Sequence, residues 1–401
     1  MRIVFISVMM PAAENIRGTS ALPYHLLLDR DKSIEIELYS YNLNKLSNEQ
    51  IETVAKELNL KIHILPTPWW YTFILNYLSS FRLFLKNPIG NYIRLNNEQV
   101  NEIMKKNPDG IWIYGEELSR ISEQLKDFKR VHTLPDCESL YYYRVLGKRF
   151  AMNDKMRFLR LLFMYPKYIN MERSFDDSPL VYYHLVGKSD VSFLKEIKPS
   201  VQAIFLRHPH YQVAMPIKTI SFSSPKIKLL IAGQYNLYMK QDSDTLVECL
   251  TNTPDITELK KNYTITFLGK GWERHVKDLR SSGYEVNHIK FAPNYIEEIN
   301  KHDIQITPIS IGTGTKGKVL DAVANGLLVI GSWYALENIA IENKISCLQY
   351  NNVDEIIPIL QDIFLKTKHY EDIAKKGRQA VLELHDGSII SKQLFQIFVD
   401  Q

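Results

Sequence analysis

The chain has 401 residues and a mass of 46.7 kDa, room for two ordinary domains, and its 45% hydrophobic and 23% charged residues exclude bulk disorder. Lys+Arg 49 against Asp+Glu 45 leaves a net charge of +4, too mild to demand nucleic acid as a partner but compatible with anionic small ligands or a membrane surface. The three cysteines, Cys137, Cys249 and Cys347, are odd in number and lack any C-x-x-C pairing, which argues against a disulfide framework or a zinc knot and fits a reducing cytoplasm.

The opening MRIVFISVMMPAAE reads as a buried first strand rather than an export signal, because Pro11 interrupts the apolar run and Glu14 follows it. Strand 2–7 leads through a loop ending in Arg17 and Gly18 to a helix from Thr19 to Asp29, then strand 34–40, a helix from Asn48 and strand 60–66. An aromatic helical region follows, then a helix over 97–106, strands 109–115 and 129–135, a helical stretch 139–173 and short strands LVYYHLV and VQAIFLR. The stretch Pro68 to Leu85 carries Asn76, two serines and Arg82, so it does not span a membrane. Its crowded rings with basic edges suit either a helix covering the first sheet, the favoured reading, or one lying on a bilayer. Strands alternating with helices predict a parallel sheet covered on both faces.

The segment 208–226 holds Pro209, Pro216, Pro225 and a serine cluster and reads as a connection. A second βα series follows, with strands at 227–233, 263–271, 285–293, 304–310 and 326–332. The expected domains are therefore 1–207 and 227–387, each doubly wound, with a final helix 388–401 that can cross back to the first. His208 and His210 flank Pro209 with no third ligand nearby, so they read as structural. No metal and no cofactor are expected.

The most informative stretch is PISIGTGTKGKVLDAVANG, 308–326. A strand ends in a loop with Gly312, Gly314 and Gly317, and a helix begins near Lys318, so free amides and the cations Lys316 and Lys318 gather at one place suited to a phosphate. A βα turn with solvated lysines is the plainer alternative. Gly312 to Gly317 also satisfies G-x-G-x-x-G with Glu337 further on, but the loop does not open its domain as a dinucleotide fingerprint does. G-x-x-x-x-G-K is met as well, yet Val319 stands where a P-loop needs Ser or Thr.

Residues 307–331 resemble the donor-site signature of glycosyltransferase family 4: a Pro, a Gly-Ser/Thr-Gly turn, a basic residue, then Lys-x-x-Glu-Ala-x-x-x-Gly-x-Pro-Val-Val. In the same order, HTLPDCESLYYYR (132–144), VGKSDVSFL (186–194), LLIAGQYN (229–236), FLGKG (267–271) and FAPNYIEEINKHDIQITP (291–308) are similar to further family segments. The chain departs from the pattern at Asp321 and Thr313, where members carry Glu, and at Leu328, where they carry Pro. The resemblance implies a GT-B fold, two Rossmann-like domains facing a cleft, and a retaining, metal-independent transfer from a nucleoside diphosphate sugar. The expected acceptor is a saccharide or lipid-linked saccharide of surface polysaccharide or glycolipid synthesis, and the expected place the cytoplasm, in peripheral contact with the membrane's inner face. A sugar-nucleotide epimerase of the same fold and a catalytically weak nucleotide-sugar-binding protein are the alternatives.

On that reading Lys316 and Lys318 meet the diphosphate, with amides of Gly312, Thr313, Gly314 and Thr315, and Asp321 reaches the ribose. Gln234, Asn236 and Lys240 lie where the sugar or phosphate is expected, and Lys270, Gly271, Phe291 and Ala292 where the base is expected. Arg17 and Gly18 approach the pyrophosphate from the first domain, and Asp136, then Glu116, are the candidates for an acceptor-side acid or base.

Overall fold

A computed structural model describes all residues except 14–17, 149–154, 223, 224, 255 and 401. The chain divides into two compact units, Met1–Pro209 with Gly387–Gln401, and His210–Asp386.

Unit 1 is built on a parallel sheet of strands β1 (Arg2–Ser7), β2 (Glu35–Ser40), β3 (Leu60–Ile64), β4 (Gly110–Tyr114), β5 (Arg130–Thr133), β6 (Val181–Leu185) and β7 (Ala203–Phe205), in the order β3-β2-β1-β4-β5-β6-β7. Phe5 of β1 pairs with Leu38 and with Trp112, and all three side chains are buried, as expected of a strand covered on both faces. One face is closed by the helix Gly387–Val399, whose Ile390, Leu394, Phe395 and Phe398 recur at helical spacing. Phe395 meets the edge of Trp112 at 5.7 Å, and Trp112 stacks on Phe5 at 4.2 Å. The other face packs Ile6, Tyr39, Ile111 and Ile113 against helical residues such as Ile103 and Ile121. The crossover helices Asn48–Leu58 and Asn97–Lys106 start on reciprocal capping boxes, Ser47 with Gln50 and Asn96 with Gln99.

Unit 2 carries strands β8 (Ile227–Ala232), β9 (Tyr263–Leu268), β10 (Glu285–Ile289), β11 (Ile304–Thr307), β12 (Leu328–Ser332) and β13 (Leu348–Tyr350), in the order β10-β9-β8-β11-β12-β13, all pairs parallel. The strands stop earlier than the apolar runs suggest, because the backbone turns at their ends; β8 ends before Gly233 at φ 136 and β9 before Gly269 at φ 139. The segment after Pro209 lies on unit 2. Its Tyr211 and Ala214 amides donate to Asp321 and Asn325, and Lys218 reaches Asp303 at 3.1 Å. Among the described residues, no helix is long and apolar enough to cross a membrane.

Candidate functional site

In each sheet the chain winds outward in both directions from a central pair, β1/β4 in unit 1 and β8/β11 in unit 2. Loops leaving the carboxyl ends of such a pair diverge, and the crevice between them is where open α/β sheets bind ligands. In unit 2 those loops are 233–236 and 308–316, and the second is tied to the helix that follows the first, Leu237–Asn252: the Ser310 amide donates to the Tyr238 carbonyl at 2.8 Å, and the Asp242 amide to Ser310 Oγ at 3.1 Å.

The second loop leads into the helix Gly317–Ala324. Gly314 takes φ 61, the left-handed region, and the Asn338 amide group donates to its carbonyl at 2.9 Å. The Lys316 ammonium turns back onto its own loop, donating to the carbonyls of Thr313 and Gly314, and lies 3.8 Å from the buried Glu337 carboxylate. Lys316 therefore fixes the loop. Lys318, the second residue of the helix, is solvent-exposed, with its ammonium 5.8 Å from the centre of the Tyr295 ring. Desolvation by the surrounding protein lowers its pKa, so the charge is accessible yet recessed. No side chain caps the helix start; the Val319 and Leu320 amides return to the Lys316 carbonyl at 2.9 and 3.0 Å, so it is the amides of Gly317 and Lys318, ahead of them, that suit an anion.

The neighbouring strand ends are held rigidly. A Cβ on Gly269 would stand 2.1 Å from the Gly233 carbonyl oxygen, so the β8 and β9 turns touch backbone to backbone. Tyr235 donates its amide to Lys270 and its hydroxyl to Asp244, which also meets His275 Nε2 at 2.7 Å. Gln234, Lys240, Lys270, Gly271 and Phe291 are exposed around this end of the sheet, and Ala292 is half-buried. Asn236 caps the next helix, accepting from the Tyr238 amide at 3.0 Å, a turn-building role beside the predicted binding one.

Asp321 is 3% exposed, and one of its oxygens accepts the Tyr211 amide at 3.1 Å. Burial raises its pKa to about 7, the Tyr211 hydrogen bond opposing.

In unit 1, Arg17 lies outside the described residues, and Gly18 is the first residue of the helix Gly18–Leu28. Asp136 follows β5 and is half-buried. Glu116 follows β4 and is buried, and burial first, then the Glu172 carboxylate beside it, raises its pKa far above the ordinary range, which favours its protonated form. Glu172 also accepts the Ser139 amide at 3.1 Å, and Asp190 the Cys137 amide at 2.9 Å. Burial first, then Asp136 and Glu117, lifts Glu138 to about 8. A trio with metal-ligand geometry, Glu37, His63 and Glu102, already serves as a salt-bridge network: Lys106 donates to both carboxylates, and Lys61 lies 3.1 Å from Glu37.

No family model matches the chain, and no curated protein matches it by sequence. Solved structures do match along its whole length. Anabaena HepE in complex with UDP-glucose superposes with a TM-score of 0.63 at 11% identity, covering 100% of this chain and 99% of that one. Sucrose-phosphate synthase from Thermosynechococcus elongatus gives 0.63 at 11% identity over 99% and 98%, and WaaG, a glycosyltransferase involved in lipopolysaccharide biosynthesis, 0.61 at 11% over 98% and 99%. The fold is GT-B.

Within this GT-B chain, several site residues escaped the sequence reading. Glu337 and Asn338 brace the glycine loop from 21 and 24 positions downstream, and Glu172 and Glu138 surround Glu116. Each sits apart in sequence from the motif it serves. Only Glu337 had a signal, its spacing from the glycines, which pointed to a dinucleotide rather than to support of Lys316.

Proposed function

We propose that the chain is a glycosyltransferase that moves a sugar from a nucleoside diphosphate sugar to a saccharide or lipid-linked acceptor in surface polysaccharide or glycolipid synthesis. The observation that carries this reading is the pairing, at the switch point of unit 2, of an uncapped helix start with the recessed cation Lys318, behind a loop locked by Lys316. A diphosphate leaving group needs its developing charge met by fixed donors, and amides with an ammonium in a recess supply that without reorganisation. HepE, of like fold, binds UDP-glucose.

On this reading the glycine-loop amides and Lys318 hold the diphosphate, and Asp321, ionised when the donor binds, takes the ribose hydroxyls. Gln234 and Lys240 face the sugar and phosphate, Phe291 the base, and Asp136 or Glu116 exchanges a proton on the acceptor side. Retention of anomeric configuration and independence of a metal belong to the same proposal, as does a cytoplasmic enzyme in peripheral contact with the membrane's inner face. Thr313, in place of a Glu, supports a second reading, a donor-binding protein of weak turnover. The test is thermal stabilisation across a panel of nucleotide sugars followed by donor hydrolysis: stabilisation with turnover supports the transferase, stabilisation alone the binding protein, and neither removes both.

A further inference from the structure

The carboxyl ends of β4 and β5 in unit 1 gather more acid than the fold itself uses. Glu172 and Asp190 are accounted for: they brace the turn into the helix Glu138–Gly147, Glu172 accepting from the Ser139 amide and hydroxyl and Asp190 from the Cys137 amide. Glu116 is not. It is 6% exposed, and among the described residues neither of its carboxylate oxygens has a hydrogen-bond partner. The Tyr114 hydroxyl, two residues earlier and also buried, is unpartnered as well. Native folds pair nearly all buried polar groups, because an orphaned one bears its full desolvation cost. Both orphans lie where β4 leaves the central pair β1/β4, the place at which open α/β sheets receive ligands.

The missing partner is a cation. The charged groups acting most on Glu116 are Glu172, Glu138 and Glu117, and those acting on Glu138, the half-buried first residue of its helix, are Asp136, Glu117, Glu172 and Asp190. All are acidic, and Arg82 acts on Glu117 instead. Beside Glu138 the half-buried rings of Tyr142 and Tyr168 stack at 5.0 Å. Aromatic rings next to carboxylates suit an organic ammonium, which both attract. A metal ion fits less well, because among the described residues the trio with ligand atoms close enough to share one is Glu37, His63 and Glu102, elsewhere on this unit.

We propose, resting on the transferase reading above, that Glu116 and Glu138 receive an ammonium group of the acceptor, whose class is then an amine-bearing saccharide. The Tyr114 hydroxyl accepts from the same ammonium, and Asp136 is left for proton exchange. In the free protein the two carboxyls favour their protonated forms, since burial first, then the acidic neighbours, raises Glu138 to about 8 and Glu116 well above its ordinary value. An arriving ammonium favours the ionised forms, so binding at pH 7 releases protons.

Full-length protein is titrated by calorimetry at pH 7 with 6-amino-6-deoxyglucose, its N-acetyl derivative and glucose, in two buffers of different ionisation enthalpy. The amine is expected to bind at least about tenfold more tightly than either neutral sugar, with a heat that differs between the buffers by the released protons. Glu138→Gln and, separately, Glu116→Gln, with circular dichroism confirming each fold, lower amine affinity at least about tenfold and reduce the proton release. No binding of the amine, equal binding of amine and neutral sugars, or heat independent of buffer overturns the proposal. Manganese binding that both variants abolish also overturns it and assigns the carboxylates to a metal. Donor binding is measured apart, by melting temperature with nucleotide sugars. Donor stabilisation without amine preference removes the ammonium site alone; amine preference without donor stabilisation keeps that site and removes the transferase reading.

Discussion

Replacing Asp321 by Asn tests the donor site through its proton. The carboxyl is buried with a pKa raised to about 7 from an unfolded value near 3.8. Between those values the folded state holds a proton that the unfolded state has released, so stability falls as pH rises from about 4 to 7 and levels off above. At 1.36 kcal/mol per unit, the full cost is about 4 kcal/mol, of which about 3 kcal/mol develops between pH 5 and pH 8. Asp321→Asn keeps an oxygen for the Tyr211 amide and cannot ionise, so urea midpoints of the variant should lack that fall and exceed those of the wild type at pH 8. Binding should move the other way. If ribose hydroxyls donate to the carboxylate, wild-type affinity for UDP-glucose, whose diphosphate diester does not titrate in this range, rises through pH 7, while the Asn variant binds at least about tenfold more weakly, or 1.4 kcal/mol, at pH 8. Equal pH dependence of stability in both proteins would refute the burial argument, and equal affinity at pH 8 would separate Asp321 from the ribose.

Lys318→Ala should weaken nucleotide-sugar binding by about 1.5 to 3 kcal/mol, the range for a hydrogen bond to a charged group, with melting temperature unchanged; calorimetry at equal fold measures it. Since the Lys318 pKa is lowered by desolvation, wild-type affinity should also drop on the alkaline side earlier than a free lysine would allow. On the proposed reading EDTA should leave donor turnover intact, because Lys318 and backbone amides meet the diphosphate; loss restored by a divalent ion would count against the site as drawn. Glu116→Gln should raise stability increasingly as pH climbs above the ordinary carboxyl range, since the Glu116 carboxyl, raised by burial and by Glu172, must otherwise give up its proton inside the fold; thermal melts at pH 5 and 8 decide this.

The two doubly wound units were legible because parallel strands buried on both faces write continuous apolar runs, as in RIVFIS and GIWIY, separated by capped helices. The glycine loop was legible because its chemistry is contiguous: Gly312 through Lys318 lie on one turn and one helix start. What stayed hidden depends on side chains that meet only after folding. Lys316, read as meeting the diphosphate, donates to its own loop's carbonyls and lies near Glu337, and Asp321, read as reaching the ribose, is buried and accepts the Tyr211 amide. Neither burial nor the partner of a charge can be read from a local pattern. Leu348–Tyr350, a strand of three residues, is too short to show any periodicity.

The helix Gly387–Val399 has a consequence for biosynthesis. It supplies Phe395 to the Trp112 stack and Ile390 and Leu394 to the same core, yet it is translated after all of residues 210–386. During vectorial synthesis unit 2 can close as an uninterrupted stretch, while unit 1, although begun first, keeps an open apolar face until its final helix leaves the ribosome. All of unit 2 is thus synthesised before unit 1 is complete. A fragment stopping at Pro209 would lack the helix that seals Trp112, so an isolated unit 1 would have to be built by joining Pro209 to Gly387 through a short linker.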